Sequence, residues 1–158
     1  YYVHDMMSDL LGNGNSSRFI RNLVQKKQLF SQIDAYIAGS IEPGTFHING
    51  RPSPGVSLEE AEAAIWKELE AMKTEAILEE ELEKVKNRYE SEQIFGNINY
   101  LNVATNLAFF ELIGKAEDIN DEVKKYRAVT SQDIQRVASE TFVKENCSVL
   151  YYKSQVSS

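Results

Sequence analysis

Histidine and cysteine, the side chains that most often bind zinc or act as nucleophiles, are scarce in this sequence. There are two histidines, His4 and His47, and one cysteine, Cys147, among 158 residues. A catalytic zinc helix presents two histidines at positions i and i+4, with a glutamate beside the second. Counted from His4, the glutamate and histidine positions hold Met7 and Ser8. The sequence therefore predicts no catalytic residue, no metal ligand and two partly exposed histidines of ordinary character.

Cys147 lies in an apolar stretch, and the nearest positive side chains along the chain are those of Lys144 and Lys153. A reactive thiolate needs a positive neighbour or a helix N-terminus to lower the pKa of the thiol. Without one, Cys147 is predicted to be a small core residue. A single cysteine also excludes an internal disulfide.

A glycine-rich segment, Gly12-Asn13-Gly14-Asn15-Ser16-Ser17, could in principle bind phosphate through free backbone N–H groups. A phosphate-binding loop normally follows a strand and ends with a lysine beside serine or threonine. This segment follows a helical pattern and has no such lysine, so it predicts a structural turn between two helices. The acidic segment at residues 79–83 is interpreted as the solvated face of a helix rather than a site for a basic partner.

Composition and charge exclude several classes of function. With 42% hydrophobic and 26% charged residues, the chain resembles an ordinary globular protein, and its length suits one domain. A net charge of -7 disfavours nucleic acid and anionic membranes as partners, since both require clustered lysine and arginine. No apolar run approaches the roughly 18–20 residues that span a bilayer. The chain begins with Tyr1-Tyr2-Val3 rather than methionine, which predicts a fragment of a longer protein.

Alternating apolar and polar residues predict the strands of a small, mostly antiparallel sheet. These strands are predicted over residues 31–40, 44–50 and 146–152. Glu42-Pro43-Gly44 is predicted to form the turn between the first two strands, which then pair as a hairpin.

Apolar residues at helical spacing predict about five or six helices packed on this sheet, in an α+β fold. The first helix is predicted over residues 2–11, and a second helix continues to about Lys27. Ser57 and Thr130 are predicted to cap two later helices. Residues 98–113 are apolar nearly all round, so their helix is predicted to be the most buried.

Four stretches carry a family resemblance through their order and spacing. They are residues 9–19 (Asp-Leu-Leu-Gly-Asn-Gly-Asn-Ser-Ser-Arg-Phe), 42–48 (Glu-Pro-Gly-Thr-Phe-His-Ile), 77–86 (Ile-Leu-Glu-Glu-Glu-Leu-Glu-Lys-Val-Lys), and 129–138 (Val-Thr-Ser-Gln-Asp-Ile-Gln-Arg-Val-Ala) followed by 146–150 (Asn-Cys-Ser-Val-Leu). Together they resemble the insulinase/pitrilysin-type zinc peptidases, a family that includes mitochondrial processing peptidases and many bacterial zinc proteases.

In that family, two similar half-domains arise by duplication. The active half carries His-x-x-Glu-His on its first helix and a further glutamate downstream, whereas the other half binds no metal and closes a chamber around an extended peptide. The helix at residues 2–11 corresponds by order to the zinc-bearing helix and lacks the motif. The resemblance therefore implies that residues 1–158 form one domain, a catalytically inactive C-terminal half-domain without its first strands.

In active members of the family, the non-metal half supplies an arginine and a tyrosine that polarise the scissile carbonyl and stabilise its oxyanion. Matching Ser17-Arg18-Phe19 and Leu23 without a gap puts Val24 at the arginine position and Ser31 at the tyrosine position. Valine has no hydrogen-bond donor on its side chain. The resemblance thus implies that this half does not assist catalysis.

The resemblance implies that the chain is not an enzyme on its own but part of a zinc metalloendopeptidase, serving structure, partner assembly and the wall of the substrate chamber. It implies no cofactor in this domain and zinc in a partner half-domain or subunit, in cis or in trans, with an extended peptide between them. Neither nucleic acid nor membrane is expected as a partner. Two alternatives stay open: an assisting half that helps peptide hydrolysis, and a pure scaffold or assembly subunit. A soluble protein of the bacterial periplasm or cytoplasm is expected.

Overall fold

An antiparallel hairpin and the helix that covers it form the centre of the fold. The computed structural model describes residues 1–39 and 44–153. Its strands are β1 (Phe30–Ala38) and β2 (Thr45–Pro52), and its α-helices are α1 (Tyr2–Gly12), α2 (Leu58–Thr74), α3 (Glu79–Gly96), α4 (Tyr100–Ile113), α5 (Glu122–Ala128) and α6 (Ser131–Thr141). Shorter helical segments are a π-helix at Ile20–Lys26 and 3-10 turns at Ala116–Asp121 and Lys144–Asn146. The predicted α+β fold is confirmed.

Helix α1 packs on β1 through an apolar stripe at helical spacing. Met6, Met7, Leu10 and Leu11 are all buried in the core. The helix ends against the sheet at Gly12, where an added Cβ would lie 2.2 Å from the backbone nitrogen of Ala35. Glycine is therefore required at this position by close approach of the two backbones.

The hairpin pairs β1 with β2 in antiparallel register, with Ala35 opposite Ile48. Ile33 and Ala35 alternate with more exposed residues and face the core. A shift of register between Phe30 and Gln32 leaves Ser31 as the extra residue of a β-bulge. The predicted hairpin is confirmed with slightly different bounds. Part of its predicted turn, at Glu42 and Pro43, lies outside the described residues.

Helices α2 and α6 begin at the predicted caps. The backbone N–H of Glu60 donates to Ser57 Oγ at 3.1 Å. At α6, Thr130 Oγ1 accepts from the backbone N–H of Asp133, whose carboxylate accepts from the backbone N–H of Thr130, both at 3.1 Å. These contacts satisfy N–H groups that have no partner within the helix. The cap predictions are confirmed.

The strand predicted over residues 146–152 is wrong. Residues 147–153 have no regular secondary structure, and Cys147 is exposed rather than part of the core. Among the described residues the sheet consists of β1 and β2 alone. An alternating pattern shows that a segment suits a strand, but a strand forms only where a neighbour accepts its backbone hydrogen bonds.

The prediction for the helix over residues 98–113 is also wrong in its burial. Helix α4 forms at the expected place, but none of its residues, all of which are described, is buried. The apolar residues of α4 favour an apolar environment. The spacing of these residues does not show which surface provides that environment. None of the helices in the described part of the chain is long and apolar enough to cross a membrane.

The π-helix ends at a strained residue. Gln28 has a φ of 54°, in the left-handed region, and it is followed by a bond from Leu29 N to Leu23 O of 2.8 Å. Many helices end at a glycine in the left-handed conformation, and the next N–H bonds back to a carbonyl of the last turn. Gln28 takes the place of that glycine here. The bond from Leu29 reaches back one residue further than usual because the last turn is π-helical.

We expect Gln28→Gly to raise the free energy of unfolding by about 0.5–1 kcal/mol, because glycine adopts this φ without steric strain. The control is Lys26→Gly, two residues earlier within the helical segment, which should lower it by about 1 kcal/mol. Urea unfolding followed by circular dichroism measures both. A loss of stability in Gln28→Gly would show that the left-handed conformation does not strain this residue.

Candidate functional site

The glycine-rich segment forms one wall of a cleft between α1 and α3. Helix α1 ends at Gly12, and helical structure resumes at Arg18, so the predicted turn between two helices is confirmed. Gly14, at a φ of 86°, allows the chain to reverse. The cleft has a volume of about 630 Å³ and is lined by Asp9, Leu10, Asn13, Gly14, Asn15, Ser16, Ser17, Arg21, Leu78, Glu80, Glu81, Lys84, Val85 and Arg88.

A buried ion pair ties this turn to α3. Arg18, 6% exposed, donates from Nη2 to Glu81 Oε2 at 2.8 Å, and Arg21 Nη2 donates to Glu81 Oε1 at 3.3 Å. Burial by itself raises the pKa of the Glu81 carboxyl, but the hydrogen bond from Arg18 and both positive charges outweigh it, so the pKa lies below its usual value. Glu81 is therefore an anchor and not part of a solvated face.

Charges of both signs line the cleft. The side chains of Arg21, Lys84 and Arg88 are balanced in number by those of Asp9, Glu80 and Glu81. Burial raises the pKa of the Asp9 carboxyl, which accepts a hydrogen bond from Asn13 Nδ2 at 2.7 Å. A phosphate site needs an excess of donors and positive charge. The arrangement here instead supports a structural turn.

The two histidines lie on different elements, and each has a threonine partner. His4 Nε2 lies 2.9 Å from Thr141 Oγ1, and burial lowers the pKa of the His4 imidazole. His47 Nε2 lies 2.6 Å from Thr45 Oγ1, and the ring stacks on Tyr36 with 4.9 Å between centroids. Within residues 1–39 and 44–153, no group of three or more histidine, cysteine, aspartate and glutamate side chains is arranged to hold a metal ion.

Val24 and Ser31 lie on either side of the Gln28 turn. Val24 is partly buried in the π-helix and packs against the hydrophobic core. Ser31 is exposed at the bulge of β1, where its Oγ donates to the carbonyl oxygen of Arg51 at 3.1 Å. Valine offers nothing to a reacting carbonyl, and the serine hydroxyl already has a backbone acceptor.

A tyrosine cluster joins α1, α3 and α5, and sequence reasoning missed it. Tyr126 OH donates to Asp5 Oδ2 at 2.5 Å, and its ring stacks on Tyr89 with 3.5 Å between centroids. Burial is the largest cause that raises the pKa of Tyr126, followed by the bond to Asp5. The phenol thus acts as a donor rather than a proton acceptor. Local spacing carries no signal for partners 121 positions apart.

Comparison with known proteins gives the relatives of this chain. Residues 1–89 match the family described as the peptidase M16 inactive domain. The zinc protease PqqE of Helicobacter pylori (strain ATCC 700392 / 26695) is 27% identical over 149 residues, which are 94% of this chain and 34% of that protein. The chain therefore spans about a third of the length of this curated relative.

Solved structures share the fold. A protease from Helicobacter pylori has a TM-score of 0.78 at 27% identity and covers 88% of this chain, which spans 34% of that one. The inactive peptidase domain of a Bordetella parapertussis protein has a TM-score of 0.80 at 20% identity, with 92% of this chain and 79% of that chain covered. The latter similarity bears on the fold alone.

We expect Glu81→Gln to lower the free energy of unfolding by roughly 2–3 kcal/mol at pH 7, because it leaves the buried Arg18 without a negative partner. Since the folded pKa of Glu81 is below its unfolded value, the pair stabilises the fold above the unfolded pKa and is lost as pH falls through the folded pKa. The difference from the native chain should therefore shrink below about pH 4. Glu80→Gln is the control: it removes a charge from the same helical turn but no buried partner, so it should lower the free energy of unfolding by less than about 1 kcal/mol. Urea titrations at several pH values test this, and a difference independent of pH would contradict it.

We also expect the purified chain to retain no stoichiometric zinc. His4 lies in α1 and His47 in β2, and two histidine ligands alone do not hold the ion tightly. Metal analysis after dialysis against zinc and then buffer measures this. One zinc per chain that is lost in His4→Ala but kept in His47→Ala would contradict the prediction and identify α1 as a metal-binding helix.

Proposed function

The chain belongs to the family of peptidase M16 inactive domains, and from this premise we propose that it is the non-metal half of a zinc metalloendopeptidase. In this role it supplies structure and a partner interface, and the hydrolysis of peptide bonds takes place at zinc held by another half-domain. The family match spans α1, the glycine-rich turn, the hairpin, α2 and half of α3.

The observation that carries the proposal is the composition of the inner face of α1. At the place where an active half presents zinc ligands, this helix presents Met6, Met7, Leu10 and Leu11, all 4% exposed or less. Apolar side chains packed this closely leave no space for ligands, an ion and water. This face of the helix is used for packing.

The relatives support the proposal of a partner half-domain that holds zinc. The Helicobacter pylori relative is called a zinc protease and is about three times as long as this chain. A domain without a metal site contributes to such an enzyme through contacts with the part that has one. Whether that part lies in the same chain or in another subunit, it is the partner we propose.

The hairpin is the surface proposed to face the extended peptide. In the described residues β2 pairs with β1 alone, so its outer edge has backbone N–H and C=O groups available for an added strand. Tyr36 is exposed and His47 is half-buried, and their rings stack across the two strands of the same hairpin. The hairpin would thus form part of the chamber wall without taking part in the chemical step.

Val24 and Ser31 distinguish this proposal from an assisting half. We expect Val24→Ala and Ser31→Ala, made in the full parent protein with its zinc-bearing half, to change kcat/KM on a quenched peptide by less than about twofold. Loss of a real oxyanion donor typically costs about 10²–10³ in rate. Gln32→Ala, also exposed on β1, is the matched control.

A thermal melt accompanies each assay, because Val24 packs against the core and its truncation lowers stability. A rate loss near a hundredfold in either variant, measured well below its melting temperature and with a normal Gln32→Ala control, would sink the non-assisting role. Absence of zinc from the purified parent assembly would contradict the wider proposal.

A further inference from the structure

The sequence contains the dipeptide Asn-Gly twice, and the fold places its two copies in different elements. Asn13-Gly14 lies in the glycine-rich turn after α1, and Asn49-Gly50 lies in β2. Asparagine is chemically labile in water. It is most labile before glycine, because a residue without a Cβ does not hinder attack of its backbone nitrogen on the asparagine side chain.

This reaction, deamidation, needs only water besides the chain. The backbone nitrogen of the glycine attacks Cγ of the asparagine and closes a five-membered succinimide ring. The bond from Cγ to Nδ2 breaks, and Nδ2 leaves as ammonia with the proton that the glycine nitrogen gave up. Water then opens the ring at either carbonyl, which yields aspartate or isoaspartate. The asparagine backbone must rotate to bring the two atoms together, so a backbone held in regular structure is protected.

The side-chain surroundings do not distinguish the two copies. All four residues are exposed. Each asparagine donates from Nδ2 to a carboxylate, Asn13 to Asp9 at 2.7 Å and Asn49 to Asp34 at 3.2 Å. A difference in reactivity in the folded chain must therefore come from the backbone.

The backbone of Asn49-Gly50 is held by the hairpin. Asn49 lies opposite Asp34, and Gly50 lies opposite Ile33 in the antiparallel pair. Gly50 also lies against the ring of Phe30, since a Cβ added at Gly50 would be 2.6 Å from a ring carbon. The rotation that brings the Gly50 nitrogen to the Asn49 side chain would have to break this pairing.

The peptide group between Asn13 and Gly14 is not held in this way. It has no hydrogen bond to any residue within 1–39 and 44–153. Asn13 is the C-cap of α1 with an extended ψ of 116°, so its backbone must rotate before the ring can close. A Cβ added at Gly14 would have only Arg88 Nη1 within reach, at 3.9 Å. Open space therefore surrounds the bond that must rotate.

We propose that Asn13 is a site of spontaneous deamidation in the folded chain and that the hairpin protects Asn49 from the same reaction. The product places a carboxylate against Asp9, at the C-terminal end of α1, where the helix dipole opposes a negative charge. Isoaspartate also adds a CH2 to the main chain of the turn that brings Arg18 to Glu81. The turn thus loosens with the age of the protein. This change is independent of the proposed peptidase role.

Peptide mapping of the full chain by mass spectrometry tests the proposal. Samples are kept at neutral pH and physiological temperature, folded and in urea, until both sites have reacted in urea. In urea the rates at Asn13 and Asn49 should be similar, because the same dipeptide is then equally mobile. In the folded chain the rate at Asn13 should be higher by about tenfold or more, which corresponds to about 1.4 kcal/mol of additional opening free energy for the strand.

Two variants complete the test. Asn13→Asp reproduces the new charge and should lower the melting temperature by about 2–4 °C. Asn13→Gln removes the reactive site, because ring closure from glutamine is much slower, and its melting temperature should stay constant during incubation. In the folded chain, equal rates at the two sites, no reaction at Asn13 or a faster reaction at Asn49 would each overturn the assignment, as would the same tenfold ratio in urea. An unchanged melting temperature in Asn13→Asp would overturn the effect on the fold.

Discussion

The contact of α1 with β1 is the constraint on which the rest of this fold depends. A two-stranded hairpin is not stable by itself in water, and the apolar stripe of α1 is the surface that covers it. The backbones approach so closely that Gly12 has no room for a side chain. The direction in which the chain leaves α1 is thereby set, and the glycine-rich turn and the Arg18–Glu81 ion pair hold that direction.

This constraint also explains why the inner face of α1 is apolar. What the sheet needs from α1 is apolar volume, which Met6 and Met7 provide as well as any other residues of that size. Zinc ligands contribute little to such packing, because they must leave space for an ion and water. The same helix position can therefore serve either chemistry or packing, and here it serves packing.

Local sequence predicted those parts of the structure that local forces determine. The hairpin follows from alternation of apolar residues, and the starts of α2 and α6 follow from Ser57 and Thr130. The two errors concern residues 146–152 and α4. In both cases the spacing shows that the segment is apolar, but it does not show which neighbour covers the segment. The roles of Glu81 and Tyr126 depend on partners 63 and 121 positions away. Val24 and Ser31 rest on a gapless match to a family pattern, and their assignment stays a prediction.

The links of α1 to the far end of the described chain have a consequence for synthesis. Asp5 and His4 find their partners at Tyr126 and Thr141, in α5 and α6. A ribosome releases the first helix long before either partner has been made, and translation adds only about 5–20 residues per second. The nascent hairpin and α1 must therefore wait several seconds in a partly assembled state with apolar surface accessible. During that interval the exposed apolar surface makes the incomplete domain prone to aggregation.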